Sequence, residues 1–289
     1  MRRFAVALFA LLSVHALAQT HVPDVIYLKQ AGCAYTMDVF TPKTPNHKAI
    51  VWMVSGGWFS HHEDINPGFA KLLTDKGYTV FEVVHGSQPK YTIPEIVPMV
   101  RRAIRFVRSL AGTYDFSPNA IGVTGASAGG HLSLEIAGLG DDGDPNAKDP
   151  VDKLSSRVNA VVAFMPPTDF ENWGTDGVTP IQVPNMKIYM PAFGVTDLTP
   201  KEVVQKVAHD VSPIILVKPG FPPTLIVHGA KDALVPLQQA KKIDAAFAAA
   251  NVTHKLVVVP TGGHDLGTMM GGMTAAFDWF DTNLTVTKN

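Results

Sequence analysis

Apolar residues along this chain fall into short runs divided by turn formers. Ala49 to Val54 is wholly apolar, and Tyr78 to Val84 is broken only by Thr79 and Glu82. Ala120 to Val123, Asn159 to Met165, Thr224 to His228 and Lys255 to Val259 repeat the pattern. Runs this short and this apolar are expected for strands buried on both faces of a parallel sheet. Between them lie stretches with helical spacing. Phe69 to Lys76 stops at Gly77. Pro94 to Leu110 carries Ile96, Val97, Val100, Ile104 and Val107 on one stripe. Leu132 to Ala137, Leu237 to Ala250 and Met269 to Leu284 read as further helices. Val25 to Leu28 and Tyr35 to Phe40 flank a turn near Gly32 and read as an antiparallel edge. The alternation predicts an α/β fold: a mostly parallel eight-stranded sheet with helices on both faces.

Two stretches break the rhythm. Pro166 to about Pro213 mixes Pro, Gly, aromatics and short helical pieces, and reads as a small cap inserted at about 166–213. The first residues carry a basic head (Arg2, Arg3), an apolar stretch (Phe4 to Leu12) and Ala16-Leu17-Ala18, which fits a cleavage site. They read as a signal peptide over 1–18, with the mature domain running over 19–289 and export to a periplasm or medium. The apolar part is short for a bilayer span, so no stable membrane insertion is expected. A retained anchor is the competing reading.

A formal charge of −1 gives no reason to expect nucleic acid as a partner. Arg101, Arg102, Arg105 and Arg108 lie off the apolar stripe and read as a solvated face. The lone Cys33 excludes an internal disulfide and reads as a small buried hydrophobe. Asp141 to Asn146 lacks the ligand alternation of a calcium loop and reads as a polar surface loop. His61, His62, Glu63 and Asp64 lack ligand spacing on a firm element, so no metal is expected, and no cofactor. The sequence leaves the oligomeric state open.

The candidate chemistry sits where strands end. Gly125-Ala126-Ser127-Ala128-Gly129 joins a strand to a helix, and a sharp turn there holds the Ser127 hydroxyl out at the helix N-terminus. A hydroxyl needs a base within hydrogen-bond reach. His264, after the last strand, is the candidate base, and Gly262 and Gly263 let its loop bend. Asp232, after the preceding strand, is the candidate partner for the ring's other nitrogen. Asp169 is the rival acid; Asp265 and Asp210 are placed elsewhere, His228 reads as packed, and His131 as a brace for the elbow. Backbone amides of Gly56, Gly57 and Ala128 are the candidate oxyanion donors.

These motifs resemble the α/β-hydrolase superfamily, in its lipase/esterase branch. Gly125 to Leu132, preceded by Asp115 to Asn119 and Ile121-Gly122-Val123, is similar to the nucleophile elbow of bacterial esterases that include feruloyl and acetylxylan esterases. The resemblance runs from about Tyr35 to Phe280. It implies a Ser127–Asp232–His264 triad that cleaves carboxylic esters through an acyl-enzyme, with a small-molecule or carbohydrate ester as substrate. The family's oxyanion loop reads His-Gly-Gly-Gly-Trp. Here Val54 and Ser55 replace its first two residues, which puts the bracing of that loop in question. Trp58 and Phe59 are expected to line the acyl pocket. Trp173, Tyr189, Met190 and Phe193 are expected to form a lid or the alcohol-side wall of the substrate pocket, or alternatively a separate small core. The same triad serves serine peptidases and arylformamidases, and a non-catalytic binding protein is the third reading.

Overall fold

The computed structural model describes residues 20–180 and 183–286. The expected signal peptide lies outside the described residues. One eight-stranded sheet runs through the molecule: β1 (His21–Gln30), β2 (Cys33–Phe40), β3 (Ala49–Val54), β4 (Thr79–Val84), β5 (Ile121–Ala126), β6 (Ala160–Phe164), β7 (Thr224–Gly229) and β8 (His254–Val259). Their spatial order is β1-β2-β4-β3-β5-β6-β7-β8. β1 and β2 form the antiparallel edge, β2 also pairs antiparallel with β4, and every later pair is parallel. This is the α/β-hydrolase fold.

Six α-helices cover the sheet among the described residues: α1 (Pro67–Thr74), α2 (Ile93–Ser109), α3 (Ala128–Leu139), α4 (Lys201–Asp210), α5 (Leu237–Ala249) and α6 (Leu266–Asn283). Strands that are apolar on every residue must be covered on both faces, and two separate cores result. On one face α1 and α6 send Phe69, Leu73, Met273 and Phe280 against Ile50, Val162 and Leu225. On the other, α2, α3 and α5 send Val100, Ile104, Leu132, Ile243 and Phe247 against Val51, Val123 and Ile226. α2 starts on a capping box, Thr92 with Glu95, which satisfies amides of its first turn.

The arginines of α2 are not a solvated face. Arg101 and Arg105 both pair with Asp141, and Arg102 pairs with Asp149 and Asp152. Arg108 donates to the backbone carbonyls of Pro118, Ser155 and Arg157. Each guanidinium is half-buried, so its forked donors find fixed acceptors in the 141–157 segment. Of the carboxylates in the 141–146 loop, Asp141 serves α2, Asp142 is taken by Arg157, and Asp144 accepts from Asn146 N. Cys33 is not a buried hydrophobe either. It is half-exposed at the start of β2, and Lys90 Nζ donates to its sulfur at 3.2 Å, which lowers the thiol's pKa.

Between β6 and β7 the chain forms α4 and 3-10 segments, one over Pro184–Phe193 and a shorter one over Pro213–Leu216. No helix among the described residues is long and apolar enough to cross a membrane.

Candidate active site

Ser127 stands between β5 and α3 with φ 54° and ψ −120°, a backbone geometry that L-residues avoid. The elbow is forced by close packing. A side chain on Gly129 would meet the Met53 carbonyl at 2.6 Å, and one on Gly125 would meet Gly129 itself at 2.5 Å. The Ser127 amide donates to Phe164 O at 2.8 Å, and Ser127 O accepts from His131 N at 2.9 Å. The strained residue is thus locked to β6 and to its own helix. Ser127 is half-buried and faces a narrow, nearly closed cleft of about 10 Å³, shared with Gly57, Trp58, Ala128, Pro167, Met186 and Tyr189. Leu234 and Val235 close the same cleft.

Those last two residues carry the link to the acid. Asp232 Oδ1 accepts from the amides of Leu234 and Val235, at 2.9 and 2.8 Å. Its Oδ2 accepts from His264 Nδ1 at 2.7 Å. The Asp232 carboxylate is fully buried and the His264 ring is 18% exposed. With Nδ1 engaged, Nε2 is the nitrogen left for proton transfer. The two loops are stitched together: Lys231 N donates to Gly262 O at 2.8 Å and Ala230 N to Val259 O at 2.9 Å. No hydrogen bond joins Ser127 Oγ to His264 among the described residues. An imidazole held by a buried carboxylate at the edge where β5 and β8 end is set up to take and return a hydroxyl proton.

The rival acid is spent. Asp169 accepts from Asn172 Nδ2 at 3.0 and 2.9 Å and from Lys242 Nζ at 3.2 Å. Asp265 caps α6 through Thr268 N at 2.8 Å, and Asp210 pairs with Lys206. His228 is fully buried, donates from Nε2 to Val235 O at 2.9 Å, and is held below its ordinary pKa by burial.

The candidate oxyanion donors need one correction. The Gly56 amide is not free. It donates to Phe59 O at 2.9 Å, and Phe59 N returns a bond to Gly56 O at 2.9 Å. Gly57 and Trp58, at φ 56° and 62°, are the two central residues of that turn, as in a type I′ turn. Their amides take no partner in it. Ala128 opens α3, so its amide has no acceptor within the helix. Gly57 is required for a second reason: the Tyr189 ring lies where its side chain would be, 2.3 Å from an ideal β-carbon.

The bracing lost with Val54 and Ser55 is replaced by residues the sequence reading passed over. Gln88 Nε2 donates to Gly57 O at 2.5 Å, and Gln88 N to Trp58 O at 3.1 Å. Ser60 Oγ donates to Val54 O at 2.5 Å and accepts from His85 N at 3.0 Å. The signal available was position. Gln88 lies in the loop after β4, which opens on the same sheet edge as the loops after β3 and β5.

Trp58 lines the cleft but is 2% exposed, and its indole is mostly core. Nε1 donates to His131 Nδ1 at 3.2 Å, and His131 Nε2 donates on to Val211 O at 2.9 Å. Burial holds His131 neutral, its pKa lowered to about 4. Phe59 is absent from the cleft wall because the Gly56–Phe59 turn carries it outward, where it stacks on His61 at 6.2 Å. Trp173 is also absent from it, stacked on Phe170 at 5.9 Å, with Phe193 against Phe170 at 5.0 Å. These aromatics pack against Trp58 as part of the core on that face of the sheet, not as a separate small core, and Tyr189 alone of the four reaches the cleft.

The family model described as BD-FAE matches residues 37–247. The chain belongs to the BD-FAE family. Esterase LipC of Mycobacterium tuberculosis is 27% identical over 253 residues, which cover 83% of this chain and 59% of that one. An acetylxylan esterase of Xylanibacter ruminicola is 36% identical over 126 residues, 42% of this chain and 25% of its own. A solved structure, the truncated form of a carbohydrate esterase from gut microbiota, has a TM-score of 0.71 at 25% identity, covering 93% of this chain and 98% of that one. The chain spans about two to three fifths of the length of the curated mycobacterial relatives it matches. The BD-FAE match includes Ser127 and Asp232 and ends before His264.

Proposed function

We propose that this BD-FAE chain is a serine carboxylic-ester hydrolase. Ser127 is the nucleophile, His264 the general base and acid, and Asp232 the residue that orients His264. The carrying observation is the 2.7 Å bond from His264 Nδ1 to the buried Asp232, whose other oxygen is held by amides of the cleft wall that Ser127 shares. Ser127 Oγ attacks the ester carbonyl as His264 Nε2 takes its proton. The tetrahedral oxyanion is met by the amides of Ala128 and of the Gly57–Trp58 turn. The alkoxide leaves with the proton from His264, and water releases the acid by the same steps in reverse order.

A narrow cleft supports a short acyl group, with acetyl favoured over longer chains. The names of the acetylxylan and carbohydrate esterase relatives support an acylated carbohydrate as the alcohol side. Arg2-Arg3, the Phe4 to Leu12 stretch and Ala16-Leu17-Ala18 support export, which would bring the enzyme to such substrates. The test compares p-nitrophenyl acetate, p-nitrophenyl octanoate, methyl ferulate and acetylated xylo-oligosaccharides, with Ser127→Ala as control. Preference for the acetyl esters, lost in the variant, is the expected result. Activity confined to peptide or formamide substrates would overturn the reading.

A further inference from the structure

Away from the cleft, four side chains with metal-ligating atoms converge on the antiparallel edge of the sheet. His21 and Asp24 come from β1, Asp38 from β2, and His62 from the 3-10 turn His62–Asp64 that follows the Gly57–Trp58 turn. His21 Nε2 lies 2.6 Å from Asp38 Oδ2, His62 Nε2 lies 3.0 Å from Asp24 Oδ1, and His62 Nε2 lies 3.6 Å from Asp38 Oδ1. The ligand atoms of Asp24, Asp38 and His62 all fall within 4.8 Å of one another. Neighbouring ligands of one tetrahedral ion with bonds of about 2.0–2.1 Å stand roughly 3.3 Å apart, so the spacing of Asp24, Asp38 and His62 suits one ion, and His21 stands beside Asp38 as the fourth donor.

The backbone is shaped to this meeting. The β1–β2 register shifts between Val22 and Val25, and Asp24 sits inside that irregularity at φ 58°. A bulge in an edge strand re-aims a side chain, and Asp24 N also donates to Asp38 Oδ1 at 3.1 Å. The His21 ring is stacked on Phe40 at 4.3 Å and 7°, which fixes its plane.

A second, independent observation comes from beneath. Asp38 is 1% exposed, and directly across the β2–β4 pair, on the same face, stands Glu82, also 1% exposed. Glu82 Oε2 accepts from Asn66 N at 2.7 Å, but Oε1 is buried with no partner. A cation bound at Asp38 would lower the cost of keeping these two buried carboxyl groups side by side. Two imidazole nitrogens and two carboxylate oxygens are a donor set suited to zinc and similar borderline divalent ions, and their charges balance such an ion.

We propose that His21, Asp24, Asp38 and His62 form a structural site for a divalent transition metal of the zinc class. The bound ion clips the bulged edge strand to the segment leaving the Gly57–Trp58 turn, and takes no part in ester chemistry. The sequence pattern hid the set, because its members come from three separated segments and only His62 belonged to the polar cluster near Glu63.

The test uses tag-free full chain stripped with a chelator at pH 7.5. Titration with zinc is followed by calorimetry, and titration with cobalt by the visible absorption of tetrahedral Co²⁺. Expected are one ion per chain, a Tm raised by about 5 °C at a hundredfold excess over Kd, and loss of both signals in His62→Gln and Asp24→Asn. Both substitutions are at solvent-exposed positions, and His61→Gln serves as the control that retains binding. Absence of saturable binding, or binding that survives His62→Gln and Asp24→Asn, would leave only histidine–carboxylate ion pairs here and overturn the proposal.

Discussion

The indole Nε1 of Trp58 donates to His131 Nδ1 across 3.2 Å of fully buried protein. That bond ties the Gly57–Trp58 turn to α3, and His131 continues it to Val211 before β7. One neutral imidazole thus holds three segments that must keep register around Ser127. His131→Ala strands the Trp58 N–H and the Val211 carbonyl without partners in a dry interior. The expected cost is about 2–4 kcal/mol of stability, read from urea midpoints. Trp58→Phe removes one donor and is expected to cost less, about 1–2 kcal/mol. In both variants hydrolysis should fall through kcat more than KM, since the lost contacts position amides rather than substrate.

Gly57→Ala tests the oxyanion turn. The residue sits at φ 56°, and the new methyl group would overlap the Tyr189 ring. Either the turn or Tyr189 must move. Loss of one aligned amide predicts a drop in kcat of about 10²–10³, measured on p-nitrophenyl acetate. Tyr189→Ala in the same chain should relieve the overlap and restore part of the stability.

Asp232→Asn keeps the volume but removes the charge that holds His264 Nδ1 as a donor. The amide can turn its nitrogen toward the ring, which then presents the wrong tautomer to Ser127. Turnover is expected to fall by on the order of 10⁴ with the fold intact, checked by circular dichroism and steady-state kinetics. Asp169→Asn, by contrast, should leave turnover within about a factor of two to three, because that carboxylate serves Asn172 and Lys242.

Glu135 on α3 gives a stability signature in pH. Burial pushes its carboxyl up to about 8, so it is neutral in the native protein at pH 7, while the ordinary value is 4.5. Between those values the unfolded chain holds fewer protons than the native one, so this group's contribution to stability falls as pH rises and levels off above about 8. Glu135→Gln removes that fall. The variant should gain on the parent by on the order of a few kcal/mol between pH 5 and pH 8.5, read from urea denaturation at both pH values. His131, with its pKa lowered to about 4, acts oppositely and weakens the native state below about pH 6.

The strand runs and the elbow were legible because their causes are local. A strand covered on both faces must be apolar throughout, and a strand that turns at once into a helix beside β3 and β6 must have glycines at 125 and 129. Asp232 and His264 are candidates from the loops after the last two strands together with the resemblance, and a hydrogen bond joins them. What stayed hidden depends on partners distant in sequence or on unsignalled backbone. Arg101 and Arg105 meet Asp141 some forty residues on, so their periodicity matched that of a solvated face. A tryptophan at φ 62° announces nothing in the sequence, and that turn decides that Gly56 is bonded and Phe59 is sent away from the cleft. The sequence leaves lid, wall and core all open for Trp173, because aromatic residues in an insertion bury one another as readily as they face a ligand; its ring stacks on Phe170.

The most direct measurement is mass spectrometry of the protein after treatment with a fluorophosphonate ester. A serine activated by an imidazole and facing main-chain amides should take up one phosphonyl group per chain, mapped to the peptide containing Ser127. Labelling should vanish in Ser127→Ala and slow by several orders of magnitude in His264→Ala, in step with p-nitrophenyl acetate turnover. Labelling at another residue, with ester hydrolysis undiminished in Ser127→Ala, would contradict the account.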